Sequence, residues 1–428
     1  MTDPVRAQYE AYPYPARDPA DERKRLIAGS PSHILEVNHY LFAGRRDFAR
    51  PFRALFAGGG TGDGTIMLAQ QLADIAAPAE IVHLDLSAAA QEIAQARAKM
   101  RGLRSIKFQR GGIEQIDRLE LGSFDYIDCC GVLHHLEDPK AGLAALARAL
   151  APGGGMGLMV YGALGRIGVY HAQAVLKMLA APDDPHPARI EQARRLLKQL
   201  PRTNWLIRNP FVGDHLKGGD AGLYDLLLHA RDRAYTVADL AGLAASAGLA
   251  IAGLIEPARY DPASYLTDPA LLERARRLDP LARAGLAELI AGDLKVHIAY
   301  LVPHERSGAS AAEIAPDLIP ILREGNGPVL ARALKPGEPL KVSFGQASFS
   351  FPLPRRAVPL LGQIDGRRSV AEVRAAAAEA GLVLSEAEFE RDFAALYRVL
   401  NGINHLFLAD RSLGPAPEAA SAASANGI

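Results

Sequence analysis

At 428 residues the chain has room for two or three domains and can bury several cores without disulfide or metal support. Hydrophobic residues make up 49% and charged residues 22%, and Lys+Arg matches Asp+Glu at 48 each, which excludes a disordered chain and a global field that would draw it onto nucleic acid or anionic lipid. The longest uncharged runs, 149–165 and 240–255, fall short of the ~18–20 apolar residues of a membrane span, residues 1–6 hold no apolar leader, and the two cysteines are the adjacent Cys129 and Cys130, so the expectation is a cytoplasmic protein with neither a disulfide framework nor a multi-cysteine zinc site.

In chain order, residues 1–50 are rich in Tyr, Pro and His: Tyr9, Tyr12, Tyr14, His39 and Tyr40 are candidates for an aromatic lid over a cleft, and Tyr12-Pro13-Tyr14-Pro15 reads equally as a polyproline arm on the surface. From 51 to 161, short apolar runs (53–57, 81–86, 106–108, 124–130, 156–161) alternate with Ala/Leu-rich helical stretches, which predicts a parallel sheet covered by helices. Ser87 is the expected N-cap of a helix ending at Gly102, and Asp138-Pro139 opens another whose buried face is Leu143, Leu146 and Leu150. Residues 166–235 read as a helical insertion. The runs 249–255 and 296–302 are expected to close the sheet as an antiparallel pair, so that the main domain spans 51–305 and a chain cut near 310 should fold alone. Residues 315–410 read as a small α+β module, and 411–428, rich in Ala, Ser, Pro and Gly, as a disordered tail.

The densest chemical signal is the strand Ala54–Ala57 running into Gly58-Gly59-Gly60-Thr61-Gly62-Asp63-Gly64 and a helix. Glycines there let a ligand touch the backbone, and the helix start offers unpaired N–H groups and partial positive charge. By itself the pattern fits a dinucleotide site, a nucleotide site or a plain turn, and the Lys-Ser/Thr ending of a phosphate loop is missing. Asp85, at the tip of the second strand, supplies a carboxylate that can accept from both hydroxyls of a ribose.

Together with Phe124–Leu136, which ends in Leu133-His134-His135-Leu136, and Leu150-Ala151-Pro152-Gly153-Gly154, these motifs resemble the class I S-adenosylmethionine-dependent methyltransferases, in particular the ubiquinone/menaquinone type. The resemblance implies a Rossmann-like α/β fold and S-adenosylmethionine as cofactor. It places Gly58, Gly60 and Gly62 along the methionine, Asp85 with Leu86 at the ribose, and Cys130-Gly131 near the amino-acid end. Two positions depart from the family. Phe56 stands where an acidic residue usually precedes the glycines, so Asp63 is the expected substitute facing the ammonium. Gly111-Gly112-Ile113 replaces an acidic adenine contact, leaving Ile113 to pack on the base.

A sulfonium methyl group is already activated, so the protein must mainly align the acceptor and take up its proton. The candidate groups are His134 and His135 after the fourth strand, and Asp214, His215, Tyr224, Asp225 and His229 in the insertion. Asp225 and His229 are four apart, so on a helix they would share a face as base and orienter. The expected reaction is methyl transfer to a nitrogen or oxygen of a protein or small molecule. The basic stretch 189–208 with Trp205 keeps an RNA acceptor open, and the altered adenine contact keeps open a non-catalytic binding protein. Residues 361–373, a helix, an Asp-Gly turn and a Ser-capped helix, weakly resemble the winged-helix-like modules that follow some bacterial methyltransferases.

Overall fold

The computed structural model describes residues 4–181, 184–345 and 347–410; the expected disordered tail lies outside them. One mixed sheet carries the main body: β1 (Phe52–Ala57), β2 (Ala79–Asp85), β3 (Ile106–Arg110), β4 (Phe124–Cys130), β5 (Leu150–Tyr161), β6 (Leu249–Ile255) and β7 (Val296–Pro303). They lie in the order β3-β2-β1-β4-β5-β7-β6, parallel through β5, with β7 antiparallel to both β5 and β6. This is the Rossmann-like arrangement the family resemblance implies, and it contains the parallel strands the alternation predicts. Strands buried on both faces need continuous apolar runs, and Leu55, Leu84, Ile127 and Leu158 are fully buried. The strand order reverses between β1 and β4, and there a crevice opens at the carboxyl ends.

Five helices precede the insertion: α1 (Pro4–Ala11), α2 (Ile34–Leu41), α3 (Asp63–Asp74), α4 (Ala88–Met100) and α5 (Pro139–Arg148), of which α1, α3 and α4 contribute residues to the crevice. Ser87 caps α4 by accepting from Ala90 N–H at 3.1 Å, and Asp138 caps α5 by accepting from Lys140 and Ala141 N–H at 3.0 Å. Leu143 and Leu146 are buried on α5 as expected, whereas Leu150 opens β5 through its pairing with Phe124. The insertion is helical, with its longest members at His186–Gln199 and Val169–Leu179.

The C-terminal residues form β8 (Ile319–Leu322), a hairpin of β9 (Leu340–Phe344) and β10 (Ala347–Phe351), and β11 (Leu406–Ala409), which pairs antiparallel with β8. The hairpin precedes the helices Ala357–Leu361, Val370–Glu379 and Glu386–Gly402, so the winged-helix likeness rests on the helix–turn–helix stretch alone. The β8/β11 pair has two apolar faces. Leu322, Leu406 and Leu408 face Leu361, Val373 and Phe393 of the module, while Ile319, Ile321, Phe407 and Ala409 join Val37, Tyr40, Leu41, Tyr300 and Val302 of the main body. The module thus shares a core with the sheet.

That shared core corrects two expectations for the lid. His39 is buried between α2 and β11: its Nδ1 accepts from Leu408 N–H at 3.2 Å, and its Nε2 lies 3.1 Å from the Tyr397 hydroxyl. Burial pushes its pKa down to about 4. Tyr40 stacks on Tyr300 with centroids 5.2 Å apart. Neither reaches the crevice, because every residue of α2 is buried.

Candidate active site

The site begins where β1 ends. Gly58 and Gly60 adopt φ of +79° and +55°, and a Cβ on Gly58 would come within 2.5 Å of the Val132 side chain, so the loop can be built only from glycine there. Gly60 N–H donates to Asp85 Oδ2 at 2.7 Å and Ser87 N–H to Oδ1 at 2.8 Å, which pins the carboxylate at the tip of β2. Burial pushes the pKa of Asp85 up, against those two hydrogen bonds.

The N-terminal arm closes over this loop. Thr61 Oγ1 donates to the Pro15 carbonyl at 2.8 Å, and Glu10 accepts from Ala88 and Ala89 N–H at 2.9 and 3.1 Å at the start of α4. The cavity beneath it, open on one side, has a volume of about 510 Å³. Gly58, Gly60, Gly62, Asp63, Asp85, Leu86, Ile113, Cys130 and Gly131 all line it. Asp63, however, is not available to a ligand ammonium. Arg17 holds both of its oxygens at 2.9 and 2.6 Å, and Arg97 holds Oδ1 at 2.6 Å. Burial would raise its pKa, yet the two guanidiniums hold it low.

At the far end of the cavity, Asp225 lies among Tyr9, Tyr161 and His135. The hydroxyls of Tyr9 and Tyr161 each donate to one of its oxygens at 3.0 Å. Asp225 and His229 do not form the expected helical pair, because that helix spans Gly219–Leu227 and ends before His229. The His135 and His229 rings stack instead, with centroids 3.6 Å apart. Arg231 clamps both rings through its backbone: His135 Nδ1 lies 2.7 Å from its carbonyl oxygen, and its N–H donates to His229 Nδ1 at 3.1 Å. A carbonyl only accepts, so His135 carries its proton on Nδ1 and keeps Nε2 as a lone pair. An N–H only donates, so His229 carries its proton on Nε2. His135, Asp225 and His229 offer ligand atoms within 4.8 Å of one another, but a cation on His229 Nε2 would require an imidazolate, so the group reads as a hydrogen-bonding cluster.

The other candidates lie elsewhere. His134 is buried behind His135, with its ring 3.9 Å from that of Tyr161, and it does not line the cavity. Tyr14 lines the cavity, whereas Tyr12 stacks on Tyr224 at 5.6 Å and Tyr224 lies 2.6 Å from His186 Nδ1, which fastens the arm to the insertion. His215 is half-buried outside the cavity. In the basic stretch, Arg194 pairs with Asp220 and Arg195 with Glu191. Among the described residues no helix is long and apolar enough to cross a membrane.

A family model described as a methyltransferase domain matches residues 55–156. An uncharacterized protein of Synechococcus sp. is 33% identical over 300 residues, covering 68% of this chain and 69% of that protein. The ubiquinone biosynthesis O-methyltransferase of Hahella chejuensis is 25% identical over 171 residues, 36% of this chain and 67% of that enzyme. Among solved structures, PKMT2 from Rickettsia typhi, in complex with AdoHcy, is similar with a TM-score of 0.59 at 15% identity, covering 84% of this chain and 71% of that one, a likeness of fold.

Proposed function

The chain belongs to the class I S-adenosylmethionine-dependent methyltransferases, and from that premise we propose that it methylates a nitrogen or oxygen of a protein or small-molecule acceptor, an amine nitrogen in preference to a hydroxyl. The residues present fit the cofactor. A cavity of about 510 Å³ is ample for a nucleoside joined to an amino acid, the loop along it is built where a Cβ has no room, and Asp85 stands at its rim. Gly58, Gly60 and Gly62 would hold the methionine side, Asp85 and Leu86 the ribose, and Ile113 the base. Bound S-adenosylmethionine supplies a methyl group already activated on a sulfonium.

The observation that carries the acceptor reading is the cluster at the cavity's far end. Asp225 is a buried carboxylate with tyrosine donors on both oxygens and no cation among its hydrogen-bond partners, so an incoming ammonium supplies a direct counter-charge. His135, neutral with Nε2 as acceptor, takes the proton and leaves the nitrogen lone pair free to attack. Tyr9 and Tyr161 hold Asp225 and exclude water.

Burial pushes the pKa of His135 below its ordinary 6.5. The base works in its neutral form, so kcat/KM for an amine acceptor that is an ammonium throughout this range should be flat at neutral pH and fall only as pH drops below 6.5. His135→Gln should remove that acid limb along with most of the rate. Transfer of a labelled methyl group to amine and hydroxyl acceptors across this pH range tests the proposal; label found only in RNA, or an unchanged pH profile in His135→Gln, overturns it.

A further inference from the structure

Phe56 occupies the first-strand position where the family usually carries an acid, and Asp63, the nearest alternative, is consumed by two arginines. The sheet register supplies another carboxylate. In the parallel β1–β4 pair Phe56 is the partner of Asp128, so both side chains leave the same face of the sheet. They converge on the first turn of α3, where a Cβ on Gly64 would lie 3.0 Å from the Phe56 ring and 3.8 Å from Asp128 Oδ2. Asp128 lines the cavity beside Ser30, Pro31, Met67 and Met159, beyond the glycine loop. Its Oδ1 accepts from Cys130 N–H at 3.1 Å and its Oδ2 from the Ser32 hydroxyl at 2.5 Å. Each oxygen keeps a lone pair, and no arginine or lysine is among these partners.

We propose that Asp128 is the carboxylate that receives the α-ammonium of the cofactor's methionine, and that the C-terminal module sets its position. The link is a continuous buried hydrogen-bond chain. Ser32, which donates to Asp128, also receives the Tyr126 hydroxyl at 2.7 Å, and its N–H donates to the Tyr300 hydroxyl at 3.1 Å. Tyr300 donates to Glu36 Oε2 at 2.9 Å. On Glu36 Oε1, the module's Arg323 and its Asn404 (3.0 Å) meet the Ser30 hydroxyl (2.6 Å). Glu36 is fully buried and needs Arg323 as its counter-charge. A carboxylate inside a strand is costly unless its geometry is held, and this chain holds it from outside the sheet. Arg323 is therefore a positioning residue, acting through Glu36, Tyr300 and Ser32.

The test is calorimetric binding by the full chain of S-adenosylhomocysteine and of its analogue lacking the α-amino group. Asp128→Asn, an isosteric change, should weaken S-adenosylhomocysteine roughly 10- to 150-fold and the des-amino analogue less than about twofold. Arg323→Gln should weaken S-adenosylhomocysteine about 3- to 10-fold with the same selectivity. If that variant does not fold, Asn404→Ala, which loosens the same Glu36 oxygen while keeping its counter-charge, carries this arm. An Asp128→Asn protein with unchanged affinity, or equal losses for both ligands, overturns the ammonium assignment. Equal losses for both ligands in the Arg323→Gln or Asn404→Ala protein overturn the positioning role.

Discussion

The N-terminal fifty residues hold two aromatic clusters of similar composition with opposite fates. Tyr9 and Tyr14 line the cavity, while His39 and Tyr40 lie buried beneath the C-terminal module. The difference is in their neighbours. Tyr9 sits on α1, whose Arg6 and Glu10 remain in contact with solvent or with the rim of α4. His39 and Tyr40 share a helix with Ile34, Leu35, Val37 and Leu41 that is buried on every side, its polar Glu36 and Asn38 included, and protein covers it all round. Aromatic content alone therefore does not mark a lid; the apolar pattern around each ring decides whether it faces a ligand or a core.

The largest test of this contrast is removal of residues 311–428. The cut strips Ile319, Ile321, Phe407 and Ala409 from the cluster holding Val37, Tyr40 and Leu41. At ~1.5–3 kcal/mol for each large side chain, the loss is roughly 5–10 kcal/mol, comparable with the whole stability of a domain. The expected outcome is loss of cooperative urea unfolding. A truncated chain that melts cooperatively at the full-length midpoint would break the comparison and restore an independent main domain.

A smaller effect should separate the two clusters directly. Tyr40→Ala leaves a cavity against Tyr300 and Phe407 and should cost about 3–5 kcal/mol in denaturant melts, with single-turnover transfer by the folded, cofactor-saturated protein unchanged. Tyr9→Phe deletes one donor to Asp225 and should cost only ~1 kcal/mol in stability. Single-turnover transfer should nonetheless slow about 10- to 100-fold. Reversed outcomes, with Tyr9 dominating stability and Tyr40 dominating rate, would exchange their assignments.

What was legible in the sequence was local. The glycine loop, Asp85, the caps at Ser87 and Asp138, and the antiparallel closing strands depend on neighbouring residues and strand periodicity. What was not legible depended on long-range pairing. Arg17 and Arg97, which neutralise Asp63, lie 46 and 34 positions away from it. His229 falls beyond its helix, and the backbone of Arg231, not a side chain, sets its tautomer. Asp128 did leave a signal: a carboxylate between Ile127 and Cys129 in a strand that must be buried demands partners. Tyr161, at the end of β5, was readable as a strand residue, but its bond to Asp225 spans 64 positions.

The smallest expected effect concerns how the cavity-side half of the arm is held. Glu10 accepts from the N–H groups of Ala88 and Ala89, which have no partner within α4, and it lies where that helix carries partial positive charge. These bonds keep its carboxyl below the usual range, with burial opposing and Arg110 assisting. A charge at a helix start is worth ~0.3–1 kcal/mol near the surface, so Glu10→Gln should weaken cofactor binding only about two- to fivefold. It should do so by loosening α1, whose Tyr9 carbonyl also accepts from the Ser87 hydroxyl at 3.1 Å, and not by removing a ligand contact. The loss should therefore be nearly the same for S-adenosylhomocysteine and its des-amino analogue, unlike that of Asp128→Asn, and should shrink in high salt, which screens the native carboxylate and lowers its advantage. Denaturant midpoints should stay within about 0.5 kcal/mol of the parent, because no core residue moves. A large stability loss in Glu10→Gln would mean that the arm is part of the core after all, and the contrast between the two aromatic clusters would narrow to one of position along a single folded unit.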